Sequence, residues 1–197
     1  MTHKLAAQFT VTAPGWLLSE QSLLPTTVVD PDERMRIVNR LAARNIQEGT
    51  GGPFAALVVD RNTNEILAAG VNLVLHAQLA AAHAEVVTLG FAQSLLGEWN
   101  LGSDRETLLV VNAQPCVMCL GTLIWSGISA LEYAASGSDV EAITGFDEGP
   151  VPADWIEQLA HRKITVESGR SRDAALSVLH EFRERVESGT TVLYNGG

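Results

Sequence analysis

Short apolar runs alternate with amphipathic stretches from Phe54 to Val186, and this alternation constrains the fold more than any other feature of the chain. Phe54 to Asp60 and Glu65 to Leu75 are apolar runs separated by turn chemistry at Arg61 to Asn64, the pattern of a β-hairpin. Beyond the hairpin the pattern predicts a helix over Ala80–Leu96, a buried strand at Thr107–Asn112, and a helix from about Cys116 to Ser126. A strand at Ile128–Ala134, a short helix around Val140, a helix near Ala153–His161, a strand at Ile164–Glu167 and a long helix over Arg172–Val186 complete it. Strands separated by helices pair in parallel and carry helices on both sheet faces, while an opening hairpin adds antiparallel pairing. The expected fold is therefore α/β, a three-layer α/β/α arrangement around a central mixed five-stranded sheet. Upstream, Asp30, Pro31, Asp32 and Glu33 form a helix start, and that helix runs to about Gln47 with Gly49 as its stop. Residues 1–30 show no sustained period and are expected to form an extended arm, and 188–197 a C-terminal tail.

Composition sets the outer bounds. The 197 residues are 46% hydrophobic and 18% charged, enough apolar material for one packed domain over 1–197. Thirteen Lys and Arg against 23 Asp and Glu give a net charge of −10, the wrong sign for a surface that neutralises nucleic-acid phosphates. The stripe Arg36, Arg40, Arg44 accordingly reads as a solvated helix face. No stretch is uniformly apolar over the roughly 18 residues that a membrane span needs, so the expectation is a soluble, cytoplasmic protein with neither nucleic acid nor membrane as partner. The only two cysteines, Cys116 and Cys119, lie three positions apart, which argues against a disulfide scaffold and for a local role.

Two strings carry the chemistry: His83-Ala84-Glu85 at one helix start, and Pro115-Cys116-Val117-Met118-Cys119 at another. Alone, the first is a satisfied polar residue and the second a redox pair or half of a structural zinc site. Together, His83, Cys116 and Cys119 are the three protein ligands of a catalytic zinc site with water in fourth place, one zinc per chain. Thiolates at a helix N-terminus are favoured by its positive end. Glu85, two residues from a ligand, is placed to take a proton from the water without binding the metal. The pair of strings is the signature of zinc-dependent nucleobase deaminases.

The chain resembles the cytidine-deaminase-like superfamily, and within it the bacterial guanine deaminases, from about Asp32 to Tyr194. The resemblance rests on the two zinc strings, Gly51-Gly52-Pro53-Phe54-Ala55, Ala69-Gly70-Val71-Asn72, Gly121, Ile124-Trp125-Ser126-Gly127, and Gly145-Phe146-Asp147-Glu148-Gly149-Pro150. It implies that Asn72 hydrogen-bonds the substrate and that Phe54 and Trp125 wall the base, with Ala84 also in the binding set. Glu148 would hold purine N–H groups and assist proton transfer as a second catalytic residue. Tyr194 would belong to a tail that closes over the site, and the protein would be a homodimer. Where many relatives carry Glu before the Pro-Cys pair, this chain has Gln114. The implied reaction is hydrolytic deamination of a free nucleobase or triazine, guanine to xanthine and ammonia first, with ammeline-like aminotriazines as further substrates. A cytosine or nucleoside deaminase keeps the same zinc strings, and a zinc-stabilised interaction module is the reading from another class.

Overall fold

A computed structural model describes residues 5–195 of the chain; the expected arm and tail extend beyond it at 1–4 and 196–197, which lie outside the described residues. Two helices come first, α1 (Gly15–Leu23) and α2 (Pro31–Gln47), then the hairpin strands β1 (Ala55–Asp60) and β2 (Ile66–Val71). After a short helix α3 (Val74–Ala77) come α4 (Ala84–Leu96), β3 (Thr107–Ala113), α5 (Val117–Ser126) and β4 (Ala130–Ala135). The chain finishes with α6 (Gly137–Thr144), α7 (Trp155–His161), β5 (Thr165–Ser168) and α8 (Arg172–Glu187). α2 starts as its sequence dictates: the Asp30 carboxylate accepts the Asp32 N–H, and Pro31 occupies the first turn, where no donor is needed.

The five strands form one mixed sheet in the order β2-β1-β3-β4-β5. β1 pairs antiparallel with β2 and β3, whereas β3–β4 and β4–β5 are parallel, as helical crossovers require. Every residue of β1 and β3 is buried because both faces are covered. Leu57, Val59, Leu108 and Val110 point into one apolar layer with α2 and α8. Ala56, Val58, Leu109 and Val111 point into the other with α4, α5 and α7. The C-terminal ends of β2, β3 and β4 and the N-terminal end of antiparallel β1 meet at one edge of the sheet, so Phe54, Asn72 and the segment after Ala113 converge there.

Three expectations need correction. Residues 15–23 of the expected extended arm are the helix α1, invisible to periodicity because its nine residues bury only Leu17 and Glu20. Glu20 sits between Arg40 and Arg44 of α2, and the two guanidinium groups outweigh the cost of burial and hold its carboxyl below the usual range. Two arginines of the stripe are thus engaged within the fold, and Arg44 also lies over the Trp16 ring at 5.4 Å. The second hairpin strand stops at Val71 rather than Leu75, because the Asn72 side chain accepts the Val74 N–H and turns the chain into α3. The helix expected from Ala80 begins only at Ala84, with His83 at its N-cap.

Candidate active site

The metal-ligating candidates come together through two helix starts. His83 is the N-cap of α4 and Cys116 the N-cap of α5, with Cys119 in the first turn that follows. His83 Nδ1 lies 3.5 Å from Cys116 Sγ and 3.6 Å from Cys119 Sγ, and all three donor atoms lie within 4.8 Å of one another. A tetrahedral zinc with bonds of about 2.3 Å to sulfur and about 2.0–2.1 Å to nitrogen demands a sulfur–nitrogen separation of about 3.6 Å. The donors therefore fit the ion in both number and spacing. Neither cysteine is in a disulfide.

His83 and Cys116 open onto a cavity of about 460 Å³ lined also by Phe54, Asn72, Glu85, Gln114, Phe146, Glu148 and Tyr194, while Cys119 is fully buried. Glu85 is buried in the first turn of α4. Burial, reinforced by the neighbouring Cys116 charge, pushes its carboxyl up to about 7. Glu148 enters on the loop after α6, pinned because its carbonyl accepts the Val117 N–H at 3.1 Å. Gly149 makes that approach possible: it adopts φ +72°, and a Cβ there would lie 2.6 Å from Val117 Cγ1. Burial and the charges of Cys116 and Glu85 push the Glu148 carboxyl up to about 8. Cys116 moves the opposite way, down to about 4, through hydrogen bonds from Cys119 and His83 that outweigh burial. A bound dication would lie where these negative groups converge and would draw both carboxyls back down.

Asn72, 1% exposed, follows β2. Its Oδ1 accepts the Tyr194 hydroxyl at 2.7 Å and the Gly52 and Val74 N–H groups at 3.2 Å each. Tyr194 also accepts the Gly52 N–H at 2.9 Å. The tail that carries it grips the Glu148 loop: Asn195 accepts the Asp147 N–H and donates to the Gly145 carbonyl. The aromatic side of the cavity is Phe54 against Phe146, centroids 5.7 Å apart, with Tyr194 5.0 Å from Phe146.

Comparison with known proteins decides the family. The model of the cytidine and deoxycytidylate deaminase zinc-binding region matches residues 30–135, more than half of the chain. The chain belongs to this deaminase family. A guanine deaminase of Bacillus subtilis (strain 168) is 37% identical over 108 residues, which cover 55% of this chain and 65%, just under two thirds, of that protein. The solved structure of a guanine deaminase from Nitrosomonas europaea matches with 40% identity and a TM-score of 0.85, covering 92% of this chain and all of that one. A structure of a variant protein in complex with 8-azaguanine matches with 40% identity and a TM-score of 0.86, over 92% of this chain and 99% of that one.

Within this deaminase fold, two implied binding residues lie elsewhere. Trp125 is 78% exposed on α5 and does not line the cavity of its own chain, because α5 turns its Cys116–Cys119 end, not its far end, towards the site. Ala84, the first residue of α4, is wholly buried, its carbonyl accepting the Thr88 hydroxyl, and is absent from the cavity wall. Phe146 takes the second aromatic place. It stood inside the glycine-rich string with Glu148, and a lone aromatic flanked by Thr144-Gly145 and Asp147 was the available signal. Gln114, between β3 and α5, also faces the cavity, with its Oε1 held by the Gly137 N–H at 3.2 Å.

Proposed function

We propose that the chain is a zinc-dependent hydrolytic deaminase of a free purine base, converting guanine and water to xanthine and ammonia. One observation carries this reading: His83 and Cys116, which with the fully buried Cys119 make the donor set, share a cavity with the buried Glu85, Glu148 and paired aromatic rings. Zinc held by the three donors supplies Lewis-acid chemistry, lowering the pKa of a water molecule to near neutrality. Glu85 accepts that water's proton and passes it to the ring nitrogen beside the amino-bearing carbon. A carbon–oxygen bond forms at that carbon, Glu85 then moves the remaining proton of the added hydroxyl to the amino group, and the carbon–nitrogen bond breaks to release ammonia and leave the carbonyl of xanthine. Buried in the first turn of α4, two residues from the ligand His83, the Glu85 carboxyl is placed both to take and to give protons beside the metal site.

The other groups bind and orient. Glu148 accepts N–H groups of the base, Asn72 Nδ2 donates to an acceptor on it, and Phe54 with Phe146 covers its π surface. Tyr194 and its tail separate the pocket from solvent. Residence in the cytoplasm is part of this reading. No helix among the described residues is long and apolar enough to cross a membrane. In this reading the partner is a small molecule, and the net charge of −10 disfavours a polyanionic one. A homodimer draws support from the exposed apolar face of α5, where Val117, Met118 and Trp125 lie.

Ammonia release from the zinc-loaded protein over guanine, ammeline, cytosine and nucleosides tests the reading. Guanine is expected to give xanthine and ammonia in equal amounts. Release from cytosine alone would replace guanine by the pyrimidine, and no release from any compound at one zinc per chain would leave a zinc-stabilised interaction module.

A further inference from the structure

We propose that Asn45, on α2 and outside the cavity, is a positioning residue for the reaction, acting through Asn72. It is fully buried, and both hydrogens of its Nδ2 are used: one goes to the Gly52 carbonyl and one to the Asn72 carbonyl, each at 2.8 Å. Its Oδ1 accepts the Thr50 hydroxyl, which fixes the amide's orientation. A single side chain therefore ties together the backbones of Gly52 and Asn72, which are 20 residues apart.

That spacing decides how Asn72 faces the cavity. With the two backbones held together, the Gly52 N–H reaches Asn72 Oδ1, where the Val74 N–H and the Tyr194 hydroxyl also converge. The approach is so close that a Cβ at Gly51 would lie 2.1 Å from the Asn72 carbonyl oxygen and 2.5 Å from Oδ1. Three donors saturate an oxygen with two lone pairs, and a flipped amide would set its NH₂ against the Gly52 and Val74 N–H groups, which can only donate. Asn72 Nδ2, which donates to no acceptor among the described residues, is thus the group left for the cavity. Asn45 secures a donor there and restricts the pocket to bases that present an acceptor opposite it.

The inference deepens the proposed function and rests on it for the identity of the base. Its test is a double-mutant cycle on kcat/KM with the protein at full zinc content, using Asn45→Ala, Asn72→Ala and the double variant on guanine. Asn45→Ala is expected to lower kcat/KM on the order of 10- to 100-fold, the scale of a misplaced binding group. In the Asn72→Ala background the same change is expected to cost almost nothing further. Thr50→Val, which frees the Asn45 amide while keeping its shape, should move kcat/KM in the same direction by less, and it stands in if Asn45→Ala does not fold. Additive losses in the cycle would overturn the inference, since they assign Asn45 a scaffold role only. If the parent deaminates another base instead, the guanine reading falls, and the same cycle on that base decides the role of Asn45. If it deaminates none, amide hydrogen exchange decides: faster exchange confined to 51–54 and 72–74 in Asn45→Ala supports the tie, and unchanged or global exchange refutes it.

Discussion

Replacing Tyr194 by Phe removes one oxygen and leaves the ring against Phe146, so its effect can be worked out contact by contact. The hydroxyl donates to Asn72 Oδ1 at 2.7 Å and accepts the Gly52 N–H at 2.9 Å. Without it no buried group is orphaned: the Gly52 N–H still reaches Asn72 Oδ1, and that oxygen keeps the Gly52 and Val74 donors. The loss is therefore that of an ordinary hydrogen bond, about 0.5–1.5 kcal/mol, rather than the larger cost of an unpaired buried group. Carried wholly into transition-state positioning, that is a fall of roughly 2- to 13-fold in kcat/KM, since about 1.4 kcal/mol is a factor of ten. Burial raises the Tyr194 hydroxyl above its ordinary value of 10.0, so it stays protonated and the ratio of parent to variant should be flat from pH 6 to pH 9. Steady-state ammonia release at several pH values measures it. A fall beyond about a hundredfold would place the hydroxyl on the reacting atoms, and an unchanged kcat/KM would show that the tail does not orient Asn72; either result refutes the reasoning.

Glu85→Gln keeps size and hydrogen bonding but ends proton transfer; we expect one zinc per chain retained, by metal analysis, and turnover reduced at least about a hundredfold. Glu148→Gln should lower kcat/KM for guanine by about 2–4 kcal/mol of transition-state stabilisation with zinc content unchanged, and equal activity would remove Glu148 from substrate binding. The Asp139 carboxyl is held down to about 2 by the Arg172 hydrogen bond and by the Ser136 hydroxyl and N–H, which donate to its Oδ2 at the α6 N-terminus. Its folded value lies below the ordinary 3.8, so the stabilisation is complete above about pH 4 and is lost as pH falls through about 2. Thermal melts in that window should fall more steeply for the parent than for Asp139→Asn, and parallel curves would deny the linkage.

The sequence by itself determined the strand and helix alternation and the metal-binding set, because each is written in short local stretches. The buried strands are continuous apolar runs, Cys116 follows Pro115 at a helix start, and the His83-Ala84-Glu85 string is legible as a string even though its exact place at the start of α4 was not. The mixed sheet followed from the hairpin and the crossovers. Tertiary structure alone decided which residues complete the cavity. α5 is apolar almost all round, so its pattern cannot say which side meets the site, and Trp125 proves to face outward while Phe146 fills the pocket. α1 was hidden because what holds it, Glu20 between Arg40 and Arg44, joins residues 20 and 24 positions apart. The orientation of Asn72 depends on Asn45 and on Tyr194, 122 residues further along. Hydrogen bonds of that reach leave no periodic trace in the sequence, since they exist only once the sheet has brought its strand ends to one edge.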